Sequence, residues 1–171
     1  PGPGGRSAVR GAARGGCCAG RHQDPAGAGG RGLLAAGCEH RGRCYGRSVD
    51  PASEVLVTAG ASEAIAAVIL GLCEPGDEVV TFEPYYDSYA ATIALAGAVR
   101  RTSVLRFPDY AVDEASLRAA FSSRTRLVLL NTPHNPTGQV FSRAELDLIR
   151  SLARESDAWV RTAEGYEARG F

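Results

Sequence analysis

From residue 53 onward, short apolar runs alternate with helical text, and turn residues separate them. No other feature of the chain restricts its fold as strongly. Glu54-Val55-Leu56-Val57-Thr58 is a β-branched run closed by Gly60 and reads as a buried strand. Ser62 to Leu72 is Ala-rich and apolar, which predicts a helix packed on a sheet. Glu74-Pro75-Gly76-Asp77 is a turn, and Glu78 to Phe82 a second strand. Asp87 to Ala96 predicts a helix with Gly97 as its C-cap, Val99 to Val104 a strand, and Asp113 to Phe121 a helix. Arg126 to Leu130 is the fourth strand. Ser142-Arg143-Ala144-Glu145 has capping-box spacing, so a helix runs from there to about Glu155. Ala158 to Thr162 predicts a fifth strand. Such alternation implies an α/β fold: a mostly parallel sheet with helices on both faces and right-handed crossovers. These sheets bind ligands at the carboxyl ends of their strands. The loops after Thr58, Phe82 and Leu130 are therefore the ones to inspect.

Composition separates this region from the text before it. Residues 1–50 hold 14 of the 21 glycines, 8 arginines and only 3 acids. Their large aliphatics are Val9, Leu33, Leu34 and Val49, too little apolar surface to offset chain entropy. Residues 1–50 are accordingly expected to be a Gly/Arg-rich disordered leader, above all up to about residue 35, and residues 51–171 the ordered domain. The leader carries +5 and the remainder −5, for a net charge of zero. That balance gives no reason to expect nucleic acid or an anionic membrane as partner. A basic arm could serve as a nucleic-acid tail, but one without aromatics or lysine clusters reads better as an unstructured leader. No apolar run approaches the ~20 residues of a membrane span.

Cys17, Cys18, Cys38, Cys44 and Cys73 show no C-x-x-C spacing, and His22 and His40 complete no zinc pattern. Reduced cysteines in a cytoplasmic protein, with no metal, are expected. There is no Met, which points to a fragment or processed product. All 19 basic residues are Arg. Chemistry that needs a lysine amine is therefore excluded for this chain by itself.

Each of the three loops has a chemical reading and a plainer one. In Thr58-Ala59-Gly60-Ala61-Ser62-Glu63, small residues at a helix start would let N–H groups and the Ser62 hydroxyl approach a phosphate. The plainer alternative is an ordinary N-cap, with Ser62 bonding its own first turn. The glycine pattern of a dinucleotide site is absent. In Phe82-Glu83-Pro84-Tyr85-Tyr86-Asp87-Ser88-Tyr89, a tyrosine could stack on a flat ring or simply cover the sheet, as is expected of Tyr89. In Asn131-Thr132-Pro133-His134-Asn135-Pro136-Thr137-Gly138, two prolines bracket Asn135, whose amide could donate to a ring oxygen and a carboxylate. A rigid turn with a satisfied Asn is the alternative, and His134 reads as a loop histidine before a general base.

Taken together, these loops resemble the pyridoxal-phosphate-dependent aminotransferases of class I and II, the fold type I family. The matching stretches are residues 54–65, 75–80, 82–89 and 131–138, with Asn-Pro-Thr-Gly the most specific, and a fainter trace at residues 39–46. Farther upstream the text looks unlike the family. The resemblance implies pyridoxal 5′-phosphate as cofactor, bound by a partial large domain of fold type I. It implies that Gly60, the Ala61 N–H and Ser62 hold the phosphate and that Tyr86 stacks on the pyridine ring. Asn135 would bond the phenolic oxygen and help to place the substrate carboxylate, and Tyr166 would bond the same oxygen. It implies amino-group transfer between an amino acid and a 2-oxo acid, usually by a homodimer. The Glu-Pro-Tyr-Tyr-Asp-Ser-Tyr text is most similar to members acting on kynurenine, glutamine or succinyl-diaminopimelate.

Two departures stand out. Ala163 occupies the place of the family's Asp partner for the pyridine nitrogen, and the Schiff-base lysine is missing. The expected function is a fragment of an aminotransferase, inactive alone. The alternatives are a non-catalytic module that holds pyridoxal phosphate and a non-functional truncated product.

Overall fold

A computed structural model describes residue 46 and residues 48–163. The expectations for the leader, for most of its cysteines and histidines, and for Tyr166 fall outside the described residues. The chain divides into two compact units, Pro1–Val57 and Thr58–Phe171.

In the first unit the described residues form a turn around Asp50. Its carboxylate accepts from the Ala52 N–H at 3.0 Å and the Ser53 hydroxyl at 2.5 Å. The Asp50 N–H donates to Glu54 Oε2 at 2.9 Å, and the Glu54 N–H donates back to the Asp50 carbonyl at 2.9 Å. Glu54, the first residue of the expected strand, is thus part of this turn. Residues 55–58 join no strand ladder, and Leu56 and Val57 are 55% and 51% exposed. This corrects the expectation of a strand at 54–58. A β-branched apolar run supplies the propensity, but a strand exists only where a second chain segment completes its hydrogen bonds.

The described residues of the second unit form eight elements in strict alternation: α1 (Gly60–Leu72), β1 (Glu78–Glu83), α2 (Ser88–Leu95), β2 (Val99–Val104), α3 (Glu114–Ala120), β3 (Thr125–Asn131), α4 (Arg143–Glu155) and β4 (Trp159–Ala163). The four strands make one sheet in the order β2-β1-β3-β4, and every pairing is parallel. The expected helices and the remaining four expected strands are all present, within two residues at each end.

The local reasons are visible in the sequence. Asp113 caps α3 by accepting from Ala115 N–H and Ser116 N–H. Ser142 and Glu145 close a capping box on α4. Gly97 ends α2 at φ +68°, where an added Cβ would lie 3.2 Å from Pro75. Residues Glu78 to Phe82 of β1 are buried without alternation, as a strand covered on both sides requires. On one face Val80, Phe82, Val128 and Leu130 pack with Leu117 of α3 and Ile149 of α4. On the other, Val79, Leu127 and Leu129 pack with Ile65 and Ile69 of α1 and Ile93 of α2. Each such side chain contributes about 1.5–3 kcal/mol of burial, and the two clusters together clamp the sheet between helical layers. A bulge sets Arg126 apart, since Glu78 pairs with Thr125 but Val79 with Leu127. Its Nε donates to the Leu72 carbonyl at 3.0 Å, closing the end of α1.

Candidate functional site

The strand order places a topological switch between β1 and β3. The chain leaves β1 for β2 on one side and enters β3 on the other. Loops that follow these two central strands open on one crevice at the carboxyl edge. They carry Tyr86 and Asn135.

The N-terminus of α1 reaches the same edge. The Ser62 hydroxyl lies 3.1 Å from the Tyr86 hydroxyl. Four N–H groups at a helix start have no partner within the helix; here they belong to Ala59, Gly60, Ala61 and Ser62. The Ala59 N–H donates to the Glu63 carboxylate. The Gly60 N–H donates to the Thr58 carbonyl at 2.8 Å, with Gly60 at φ +83°. The N–H groups of Ala61 and Ser62 have no acceptor among the described residues. The N-cap residue, Ala59, makes no side-chain cap, and the Ser62 hydroxyl meets Tyr86 rather than its own first turn. Two open amides and a hydroxyl at the positive end of a helix dipole suit an oxyanion of a phosphate ester.

The three tyrosines separate by environment. Tyr89 is buried in the sheet-facing cluster, and burial raises its phenol pKa. Tyr85 lies beneath the Arg100 guanidinium, 4.7 Å from the ring centroid. Tyr86 is half-buried, stands edge-on to Tyr89 at 5.9 Å, and meets Ser62. Of the three, it is the one that meets the N-terminus of α1.

Asn135 is half-buried, and its amide makes no hydrogen bond among the described residues. The turn that carries it is closed by the His134 N–H to the Gln139 carbonyl at 2.7 Å and the Gly138 N–H to the His134 carbonyl at 2.6 Å. Gly138 takes φ +77°. His134 is itself buried, with Nδ1 2.8 Å from Thr137 Oγ1. Burial lowers its pKa, and a hydrogen bond to the Phe82 backbone opposes that shift. Ala163 ends β4 beside Asn131, and its methyl group offers a ring nitrogen no charge.

Glu78 went unread in the sequence. It is buried at the opposite end of β1, where Arg101, Ser122 and Arg124 converge on it from positions 23 to 46 residues away. At that separation no sequence spacing marks the cluster. His134 and Thr137 are different, since their spacing across a Pro-containing turn is a local signal. Among the described residues no group of three or more His, Cys, Asp or Glu is placed to hold a metal ion. No described helix is long and apolar enough to cross a membrane.

The all-parallel α/β sheet fits a class to which the chain belongs: the family described as aminotransferase class I and II matches residues 19–171. A probable N-succinyldiaminopimelate aminotransferase of Mycobacterium tuberculosis is 48% identical over 151 residues, covering 86% of this chain and 38% of that protein. The methionine aminotransferase of Escherichia coli is 43% identical over 129 residues, 75% of this chain and 33% of the relative. The solved structure of the M. tuberculosis N-succinyldiaminopimelate aminotransferase superposes with a TM-score of 0.71 at 49% identity, covering 76% of this chain and 34% of that one. The chain thus spans little more than a third of the length of these relatives. The family match begins at residue 19, which corrects, for residues 19–38, the expectation that the Gly/Arg-rich text upstream of the 39–46 trace is unlike the family; residues 1–18 lie outside the match. Low-complexity composition carries no periodicity, so composition alone could not show that likeness.

Proposed function

We propose that this chain is the cofactor-phosphate and ring-face portion of a pyridoxal-phosphate-dependent aminotransferase. The reaction in which that portion would serve moves an amino group between an amino acid and a 2-oxo acid. The observation that carries this reading is the meeting of Ser62 and Tyr86 at the N-terminus of α1, where the N-cap residue is an alanine. The bound cofactor would supply an electron-withdrawing ring conjugated to the substrate nitrogen. The Ala61 and Ser62 amides and the Ser62 hydroxyl would fix its phosphate. The Tyr86 ring would cover one face, and its hydroxyl would be held by Ser62. The Asn135 amide would donate to the phenolic oxygen and orient the substrate carboxylate. Tyr166 would donate to the same oxygen.

The likeness to the M. tuberculosis relative supports an N-acylated amino acid with a distal carboxylate as substrate. A homodimer in the cytoplasm completes the reading. A second reading is favoured by one fact of the chain: with 19 arginines and no lysine, it is a module that holds the cofactor without turning over substrate.

Titration of the purified chain with pyridoxal 5′-phosphate, and separately with pyridoxal, tests the site. Tighter binding of the phosphate ester is expected, with Ser62→Ala weakening it about tenfold, the worth of one charge-assisted hydrogen bond. Tyr86→Ala should weaken both ligands. Equal affinity for the two ligands, or indifference to Ser62→Ala, would overturn the assignment.

A further inference from the structure

His134 is a buried titratable side chain for which the proposed cofactor contacts have no use. Its imidazole is 3% exposed. On one side it bonds within its own turn. The Gln139 N–H donates to Thr137 Oγ1 at 3.3 Å, and His134 Nδ1 lies 2.8 Å from the same oxygen. With the ring proton on Nε2, Nδ1 accepts from the Thr137 hydroxyl. On the other side the imidazole packs 5.9 Å from the Phe141 ring, which lies 5.2 Å from Phe82. Phe82 belongs to the end of β1, from which the Tyr86 loop departs. One ring therefore joins the turn that carries Asn135 to the strand end that carries Tyr86. A leucine or phenylalanine would fill the same space but would leave the Thr137 hydroxyl without its acceptor.

We propose that His134 is a positioning residue, whose bond to Thr137 and packing on Phe141 hold the Asn135 turn in fixed register with the Tyr86 loop. Its consequence for cofactor binding rests on the reading of Asn135 and Tyr86 given above; the rigidity of the turn does not. Three variants separate positioning from core filling. Thr137→Val removes the hydroxyl at a half-buried site, His134→Phe keeps an aromatic ring, and His134→Asn keeps an acceptor near Nδ1. Two readouts are taken on the whole chain. The first is the Asn135 side-chain amide resonance with hydrogen exchange at the Gly138 N–H; the second is affinity for pyridoxal 5′-phosphate.

Thr137→Val and His134→Phe are expected to speed Gly138 exchange and weaken binding about tenfold each, and His134→Asn to restore both to within about twofold, since one hydrogen bond is at stake. If Thr137→Val leaves the Asn135 resonance and Gly138 exchange unchanged, the proposal is wrong. The same holds if His134→Asn behaves like His134→Phe. Should His134→Phe fail to fold, Thr137→Val decides. Should the unaltered chain not bind the cofactor, the site reading fails, and the exchange and resonance data alone judge His134.

Discussion

Glu78 has no solvent exposure, yet it keeps its charge because Arg101 and Arg124 each donate at 2.8 Å and the Ser122 hydroxyl at 2.5 Å. The Arg101 hydrogen bond is the main cause of a carboxyl pKa drawn from 4.5 to about 2, with burial working against it. The folded value lies below the unfolded one. The stability this group contributes is therefore complete above about 4.5 and is lost as pH falls toward about 2. Urea midpoints at pH 7 and pH 3 should show a larger acid loss for the unaltered chain than for Glu78→Gln. At pH 7 that variant should be weaker by about 2 kcal/mol, because neutral Gln loses charge-assisted bonds. A residue with the opposite deficiency is Ala163, where a small apolar side chain ends the strand beside the proposed site. Ala163→Asp should tighten pyridoxal 5′-phosphate binding about tenfold by pairing with the pyridine nitrogen, a gain of the size of one ionic hydrogen bond. Binding isotherms of the two proteins are the check, and an unchanged constant would remove Ala163 from the site.

At the scale of elements, α4 depends on its first turn. Glu145 accepts from the Ser142 N–H at 2.7 Å and from the Val112 N–H, in the segment before α3, at 2.8 Å. It thus ties two connections to one helix start. Ser142→Ala should cost about 1 kcal/mol, the usual loss of an N-cap. Glu145→Ala should cost more, about 2–3 kcal/mol, since backbone donors on two segments lose their acceptor. Equal urea midpoints for the two variants would show that the bond to Val112 contributes nothing. The elements most legible in sequence are those with local signals of this kind. The Ser142/Glu145 spacing located α4, Gly97 located the end of α2, and Pro75-Gly76 located the turn before β1. The run at 54–58 misled because its signal was propensity without a partner.

For the whole molecule, chemistry is bounded by composition. A chain of 171 residues without lysine has no side-chain amine to condense with the cofactor aldehyde. Treatment of the chain and pyridoxal 5′-phosphate with borohydride should give no lysine-type adduct by mass. Amino-group transfer should not exceed the rate of free cofactor, and a faster rate would overturn the assignment of the site. The two edges of the sheet also differ: β2 displays Arg100 and Arg101, whereas β4 displays Trp159 and Val160, 37% and 42% exposed.

Local chemistry determined much of this protein before any coordinate was known. Alternating runs, caps and glycines specify the helices and four strands, because each signal acts within about four residues. The resemblance carried by the loop motifs names Gly60, Ala61, Ser62, Tyr86 and Asn135 as expected site residues. Tertiary structure alone decided the rest. It set Tyr86 against Ser62 while sending Tyr85 under Arg100 and Tyr89 into the core. It left the Ala61 and Ser62 amides open by giving those of Ala59 and Gly60 other acceptors. It gathered Arg101, Ser122 and Arg124 on Glu78. It denied residues 55–58 a ladder. These outcomes depend on which distant groups meet, and a hydrogen bond or a buried charge has its energy only when its partner arrives.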